Sequence, residues 1–353
     1  MENWYIYIYD KDHVKLDEIY EISNISYTKT LNGICSATIT IPSKIPKNTE
    51  NNIKEYNHIE IYKIVDGIPM LLWWGVIASW TPNNNFEVEI SCLGYFYLLS
   101  KRIFREDKEY SNKKYNVLCS LMLDYINNIN DTGIRLGISK DSSLKTTRKI
   151  NYGDYLWDKL TEYLEDSNTY AEIDKDRKLN YYDENYCNDK SDFYEINEAN
   201  IINNISINRE SLGIYNYIEG ISTYTNDSNN EVVLKCVKKD EDSIKEYGLL
   251  EYTLKLNDIR LQETLETRTQ EYLNKNSVPN LNIMLQVRNC SVFNIYDINV
   301  GDIIYLNLKD VFNINTKIKV IEITVNAREQ IAELTLGNTL YREVAPQKRV
   351  YVS

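Results

Sequence analysis

The stretch Phe86-Glu87-Val88-Glu89-Ile90-Ser91-Cys92 alternates between the two faces of an extended chain without a break. A side-chain period of two belongs to a strand with one face in a core and the other, here carrying Glu87 and Glu89, at water. The residues before it repeat the message. Trp4-Tyr5-Ile6-Tyr7-Ile8-Tyr9 is aromatic and β-branched throughout. Residues 22–30 alternate weakly, Leu31-Asn32-Gly33 supplies a turn, and residues 36–41 alternate until Pro42 stops them, which predicts a hairpin. His58 opens another alternating run to Ile64, and Val65-Asp66-Gly67 turns it into a strand over 70–80. Gly75 in the middle of that strand marks a bend or bulge. Asn83-Asn84-Asn85 ends it. Residues 1–92 are thus expected to form a small, mostly antiparallel barrel or curled sheet.

The period then changes. Residues 93–104 contain a short helical piece. Residues 116–129 carry Val117, Leu121, Tyr125 and Ile129 at four-residue spacing, which predicts a helix. Residues 154–166 predict another, with Leu156, Leu160, Tyr163 and Leu164 on one face and Asp154 as its N-cap. Two short strands, 169–173 and 178–182, are joined by Asp174-Lys175-Asp176-Arg177. Strand character returns at 201–207, 214–224 and 231–237. A helix is expected over 257–276, through Leu261, Leu265 and Tyr272, with Asn257 or Asp258 as cap and Pro279 as stop. Strands follow at 281–287, 303–308, 317–325 and 332–336. The expected fold is mainly β with an α+β insert: a β-barrel-like unit over 1–102, a mixed α/β unit over 103–205, and a second β unit over 206–353.

Composition narrows the function. The 353 residues carry a net charge of -12, so no basic face offers itself to a duplex. The pairs Lys113-Lys114 and Lys238-Lys239 and the tail Gln347-Lys348-Arg349 are the densest basic points, and each reads as solvated surface. No basic-then-apolar leader opens the sequence, and the apolar run 68–78 is too short to span a bilayer. A protein that folds in the cytoplasm is expected. Six cysteines, at 35, 92, 119, 187, 236 and 290, form no C-x-x-C and read as small buried thiols. Tyr outnumbers Phe by 30 to 6. Tyr suits half-buried strand faces, with the ring inside and the hydroxyl at water; a tyrosine-rich sugar-binding surface is the sharper alternative.

Familiar catalytic patterns are missing. Of the two histidines, His13 lies in a charged loop and His58 leads a strand, neither at metal or triad spacing from a partner. There is no H-E-x-x-H, G-x-S-x-G or P-loop. Asp174-x-Asp176 begins like a calcium loop but lacks the central Gly and distal Glu, so it reads as a hairpin turn. A glycosidase needs only two carboxylates, and 52 acids leave many candidates. No pair is nominated; Glu162, for one, falls on the exposed side of its helix. No catalytic, cofactor or metal residue is assigned, and an enzyme is not expected.

The order of these segments resembles the N-terminal part of bacteriophage tail hub proteins. The resemblance rests on Leu31-Asn32-Gly33-Ile34-Cys35-Ser36-Ala37-Thr38-Ile39-Thr40-Ile41-Pro42, Ile59-Glu60-Ile61-Tyr62-Lys63, Trp74-Gly75-Val76-Ile77, and the run from Phe86 through Gly94 and Leu98-Leu99 to Arg102. Val300-Gly301-Asp302-Ile303-Ile304, Lys319-Val320-Ile321-Glu322-Ile323 and Glu333-Leu334-Thr335-Leu336-Gly337-Asn338 look like the family's closing β domain. The resemblance covers both ends and reaches the middle only by architecture. It implies two tube-type domains per chain flanking the insert, and a homotrimer whose pseudo-sixfold ring joins a sixfold tail tube to a threefold spike or fibre. The implied partners are the tail tube or distal tail protein, a spike or central fibre protein and the C-terminus of a tape-measure protein, with DNA passing an acidic lumen unbound. The implied place is the virion tail tip or baseplate of a phage, prophage or tail-like particle. Because the sequence stops soon after the last β unit, the structural hub alone is expected. A host-surface carbohydrate-binding module and a cell-wall hydrolase are the alternatives.

Overall fold

In the computed structural model, the alternating segments at the two ends of the chain join into one sheet. The structure describes residues 3–337 apart from 45–46, 66, 84–85, 141–144, 168, 183–187, 203–204, 211–212, 226–229 and 257–258. The N-terminal arm holds β1 (Trp4–Tyr9), β2 (Lys15–Ile19), β3 (Asn24–Thr30), β4 (Ser36–Pro42), the short helix α1 (Lys47–Asn52), β5 (His58–Val65), β6 (Ile68–Pro82) and β7 (Glu87–Leu93). Its strands lie side by side in the order β3-β4-β7-β6-β5-β1-β2. The expected hairpin is there: β3 and β4 pair antiparallel, and Asn32 turns the chain with φ 51°. Val88, Ile90 and Cys92 of β7 are buried, while Glu87 and Glu89 face outward.

Gly75 is required by a close backbone approach. A Cβ there would lie 2.3 Å from the Leu93 carbonyl oxygen and 2.5 Å from the Trp73 ring. The register of β6 slips on both sides of it, against β5 near Ile61 and Tyr62 and against β7 between Ile77 and Ser79.

The insert runs through α2 (Phe96–Ser100), β8 (Lys108–Lys114), α3 (Tyr115–Ile129), β9 (Arg135–Ser139), β10 (Lys145–Ile150), α4 (Leu156–Ser167), β11 (Tyr170–Ile173) and β12 (Lys178–Tyr182). β11 and β12 form the expected hairpin, and β9 adds to β12 in parallel, a pairing between segments too distant for a turn signal to reveal. In α3 the buried stripe is Tyr115, Leu118, Cys119, Met122, Leu123 and Ile126. Val117, expected inside, is exposed. A strict four-residue spacing drifts around a 3.6-residue helix, and the mixed three-and-four series holds the core side. Asp154 does not cap α4. Its carboxylate accepts the Asn151 N–H, and the first helical amide, of Leu156, is satisfied by the Arg102 carbonyl.

The C-terminal part opens with β13 (Asn188–Asp189) and β14 (Glu195–Asn197), then β15 (Ser206–Glu210), β16 (Tyr217–Thr225), β17 (Glu231–Lys239), α5 (Glu241–Tyr247), β18 (Glu251–Lys255) and α6 (Gln262–Asn276). It closes with β19 (Asn280–Arg288), β20 (Asp302–Leu308), α7 (Lys309–Phe312), β21 (Ile314–Asn326) and β22 (Ile331–Gly337). β16, β17 and β18 form a separate three-stranded sheet, with α6 packed on β16 and β17. Leu265, Thr269 and Leu273 are the buried face of α6; Leu261 sits at its N-cap and is exposed. The expected caps Asn257 and Asp258 lie outside the described residues. Residue 220 must be small, because a Cβ there would meet Thr269 Oγ1 at 2.0 Å.

β21 joins the arms. Along one edge it pairs with β22 from Lys319 to Asn326. Along the other it pairs first with β20, at 314–319, and then with β3, Glu322–Asn326 lying against Ser26–Thr30. The main sheet therefore runs β15-β19-β22-β21-β3-β4-β7-β6-β5-β1-β2. Of the barrel and the curled sheet expected for the N-terminal residues, this seam selects the open sheet. A closed N-terminal barrel would need the free edge of β3, and β21 occupies it. No closed barrel forms among the described residues; instead both arms share one apolar core. Ile6, Ile8, Ile25, Ile39 and Ile59 from the first arm and Leu285, Ile304, Val320, Ile323 and Leu334 from the second belong to it. Trp4 meets Tyr296 across it, ring centroids 5.7 Å apart. The insert has a second core, around Phe96, Leu99, Phe104, Tyr115, Met122 and Leu160, which rests on Val76 of the first arm.

Candidate functional site

The insert meets the N-terminal arm along β11. Asn32, held in the left-handed region at the tip of the β3–β4 hairpin, presents its side-chain amide as a strand would. Its Nδ2 donates to the Thr169 carbonyl at 2.8 Å, and its Oδ1 accepts the Ala171 N–H at 2.9 Å. At the far end of β11, Trp74 Nε1 donates to the Ile173 carbonyl at 2.8 Å. Beyond it, the Asp174–Arg177 turn reaches the β1–β2 loop, where Arg177 Nη1 donates to the Lys11 carbonyl at 3.2 Å.

Under that turn lies a polar cluster on the face of the sheet opposite the shared core. Alternation puts Tyr5, Tyr7 and Tyr9 of β1 on one face, and register sets them against Tyr62, Glu60 and His58 of β5. Glu60 is 3 % exposed and accepts the Tyr9 hydroxyl at 2.8 Å and the Tyr62 hydroxyl at 2.7 Å. His13 stacks on Tyr9, centroids 4.5 Å apart, with its Nε2 3.8 Å from Glu60 Oε1. His58 is buried, 5.4 Å from His13 between ring centroids, and its Nδ1 lies 3.0 Å from the Tyr95 hydroxyl.

The electrostatics follow from burial. Desolvation pushes His58 down to about 4, with Arg177 and His13 adding to the effect. Desolvation also lowers His13, against the pull of Glu60. Burial and the Glu60 carboxylate hold Tyr9 and Tyr62 far above the ordinary phenol range. At neutral pH the cluster is a hydrogen-bonded joint with neutral imidazoles. No three His, Cys, Asp or Glu among the described residues are placed to hold a metal ion.

The pairing of the two histidines escaped the sequence, because His13 comes from the β1–β2 loop and His58 from the distant strand β5. The signal was present all the same in the alternation of Tyr5-Tyr7-Tyr9 and of His58-Glu60-Tyr62. Other expectations are placed plainly. Glu162 pairs with Arg148 at 3.5 Å and with Lys159 at 2.9 Å. Asp174 is a turn residue, its Oδ1 accepting the Asp176 and Lys178 N–H groups. Lys238 and Lys239 pair with Glu266 and Glu241. Residues 347–349 lie outside the described part. Cys92 and Cys119 are buried and Cys35 and Cys236 half-buried, but Cys290 is exposed, and Cys187 is outside the described part. No described helix is long and apolar enough to cross a membrane.

A second joint ties the insert to the C-terminal part. The Tyr115 hydroxyl, fully buried, accepts from Arg148 Nη2 at 3.2 Å and from Arg268 Nη2 of α6. β13 and β14 leave the insert to pair in parallel with β20.

Comparison with known proteins agrees with this plan. Residues 188–342 match the family described as prophage endopeptidase tail. The fold matches prophage tail protein gp18 from Listeria monocytogenes EGD-e with a TM-score of 0.66 at 13 % identity, over 96 % of this chain and 95 % of that one. It matches the 43 kDa tail protein of prophage MuSo2 from Shewanella oneidensis with 0.63 at 10 % identity, over 94 % and 97 %. The tail protein from Neisseria meningitidis MC58 gives 0.63 at 11 %, over 95 % and 96 %. No curated protein matches by sequence. The C-terminal segment is thus similar to a prophage tail family, and along nearly its whole length the chain has the fold of prophage tail proteins.

Proposed function

We propose that this chain is the structural hub of a phage or phage-like tail tip or baseplate. Three copies would form a ring that meets the sixfold tail tube on one side and a threefold spike or fibre on the other, around the channel that passes DNA. The observation that carries this reading is the open main sheet, whose N-terminal and C-terminal arms are joined at β3–β21. Two arms per chain make six in a trimer, which supplies near-sixfold contacts to a tube from a threefold assembly. Among the described residues the path of the main sheet ends at β2 and β15, and exposed sheet edges are templates for pairing with another chain. Head-to-tail contacts that close by rotation make a ring. The net charge of -12 suits a lumen that repels phosphate.

We assign the chain a structural role. In the cluster Glu60 accepts the Tyr9 and Tyr62 hydroxyls and His58 meets the Tyr95 hydroxyl, and Glu162 is engaged in ion pairs. The insert is proposed to end near residue 187, since β13 begins the pairing with β20 and the family match begins at 188. The proposed neighbours are the tail tube or distal tail protein, the spike or fibre protein and the end of a tape-measure protein.

Solution mass and negative-stain images of the chain, alone and mixed with its tail tube neighbour, test the reading. Three-chain rings with a central hole are expected in at least the mixture. A monomer in both, which binds glycan in an array, would replace the hub by the adhesin reading. A monomer that clears peptidoglycan would replace it by the hydrolase.

A further inference from the structure

Asn32-Gly33 is the one Asn-Gly pair in the sequence. In an open chain such a pair reacts with itself. The glycine nitrogen, with no side chain to shield it, attacks the asparagine Cγ; ammonia leaves, and water opens the cyclic imide to aspartate or isoaspartate. The fold calls for both members of the pair. Asn32 turns the β3–β4 hairpin at φ 51° and serves β11 with both polar atoms of its carboxamide. A Cβ at residue 33 would lie 2.7 Å from Thr30 Cγ2 and 2.8 Å from Thr30 Cβ, which favours glycine there.

The docked insert keeps the pair from reacting. The attacking nitrogen is tied, since the Gly33 N–H donates to the Thr30 carbonyl at 3.2 Å. The carboxamide is tied at both ends, Nδ2 to the Thr169 carbonyl at 2.8 Å and Oδ1 to the Ala171 N–H at 2.9 Å. Asn32 is also buried, which limits the water that ring opening consumes. For Gly33 to reach Cγ, the carboxamide must first swing off β11 onto its own backbone.

We propose that Asn32 is a modification site guarded by the insert: while β11 is docked the carboxamide is preserved, and when β11 lets go Asn32 deamidates and the joint does not re-form. The Gly33 N–Cγ bond forms, the Cγ–Nδ2 bond breaks with the nitrogen leaving as ammonia, and a water molecule adds when the imide opens. No oxidant or reductant takes part. In the product an oxygen stands where Nδ2 donated to the Thr169 carbonyl, so two acceptors face each other in a buried site. Isoaspartate also lengthens the backbone at the turn. The chain thus keeps a permanent mark of time spent with its insert undocked. This inference is independent of the hub assignment and is tested on the isolated chain.

Peptide mapping by mass spectrometry, which resolves the Asn, Asp and isoAsp forms, follows residue 32 at mildly alkaline pH in native buffer and in guanidinium chloride. Deamidation is expected in the unfolded chain and about 100-fold or more slower in the native one, because three hydrogen bonds must open before attack. Trp74→Phe loosens the far end of β11 without touching the reacting atoms, and should deamidate faster than the unaltered chain. In Asn32→Asp, hydrogen exchange should show the Ala171 amide losing protection about 10-fold or more. Equal rates in native and unfolded chains, an intact Asn32 in the unfolded chain, or equal rates in Trp74→Phe and the unaltered chain each overturn the proposal. So does unchanged Ala171 protection in Asn32→Asp. Should Asn32→Asp not fold, the rate comparisons decide.

Discussion

If the two arms share one core, damage to either must be felt by both. Ile25 lies in β3 of the first arm and Leu334 in β22 of the second; both are fully buried in the common core. Ile25→Ala and Leu334→Ala each remove three carbons. At ~0.8 kcal/mol per buried methylene the transfer term is about 2.4 kcal/mol, and the cavity raises the cost to roughly 2–5 kcal/mol. Leu160→Ala, fully buried in the core of the insert, is the comparison. Urea unfolding combined with hydrogen exchange of the slowest amides measures the effect segment by segment. Both arm variants should lower the stability of residues 4–93 and 280–337 together, by about the same 2–5 kcal/mol within each variant. If Ile25→Ala destabilises only the first segment and Leu334→Ala only the second, the arms are independent domains. The seam at β21 would then be a contact between them rather than the middle of one folding unit.

Other consequences are more local. Tyr115→Phe removes the acceptor shared by Arg148 and Arg268 and should cost about 1.5–3 kcal/mol in urea unfolding; a neutral result would mean the two guanidinium groups find other acceptors at no loss. Gly75→Ala drives a Cβ onto the Leu93 carbonyl, and overpacking of about 1–3 kcal/mol should show in thermal melts, where an unchanged melt would contradict the close approach of β6 and β7. A thiol reagent should label Cys290 in the native chain but leave Cys119 and Cys92 untouched, since burial pushes the Cys119 thiol up to about 12 and raises that of Cys92 as well; prompt labelling of either would refute their burial.

Local periodicity carried much of this fold. The alternation in Glu87–Cys92, the turn at Asn32 and the hairpin around Asp174 appear where expected, because strand faces and tight turns depend on neighbours within a few residues; Phe86, read onto the core face of that strand, is exposed in the turn before it. The same logic failed where partners are far apart. β9 pairs with β12, β14 with β20, and β3 with β21, and no short-range signal names such partners. Helix phase failed for a related reason: Val117 and Leu261 are apolar at plausible positions, but the neighbouring elements decided which face was covered.

The sequence by itself determined the class of the chain: alternating β segments at both ends, helices between them, and an acidic surface without a catalytic signature. Only the tertiary structure decided that the two ends merge, because the edge of β3 accepts β21 in place of closing on its own arm. Only that merging produces one core where two were expected. The cluster of His13, His58, Glu60 and Arg177 is likewise a product of register and docking. Four polar residues from one strand, a loop and an insert turn become one electrostatic unit when burial removes the water that would have kept them independent.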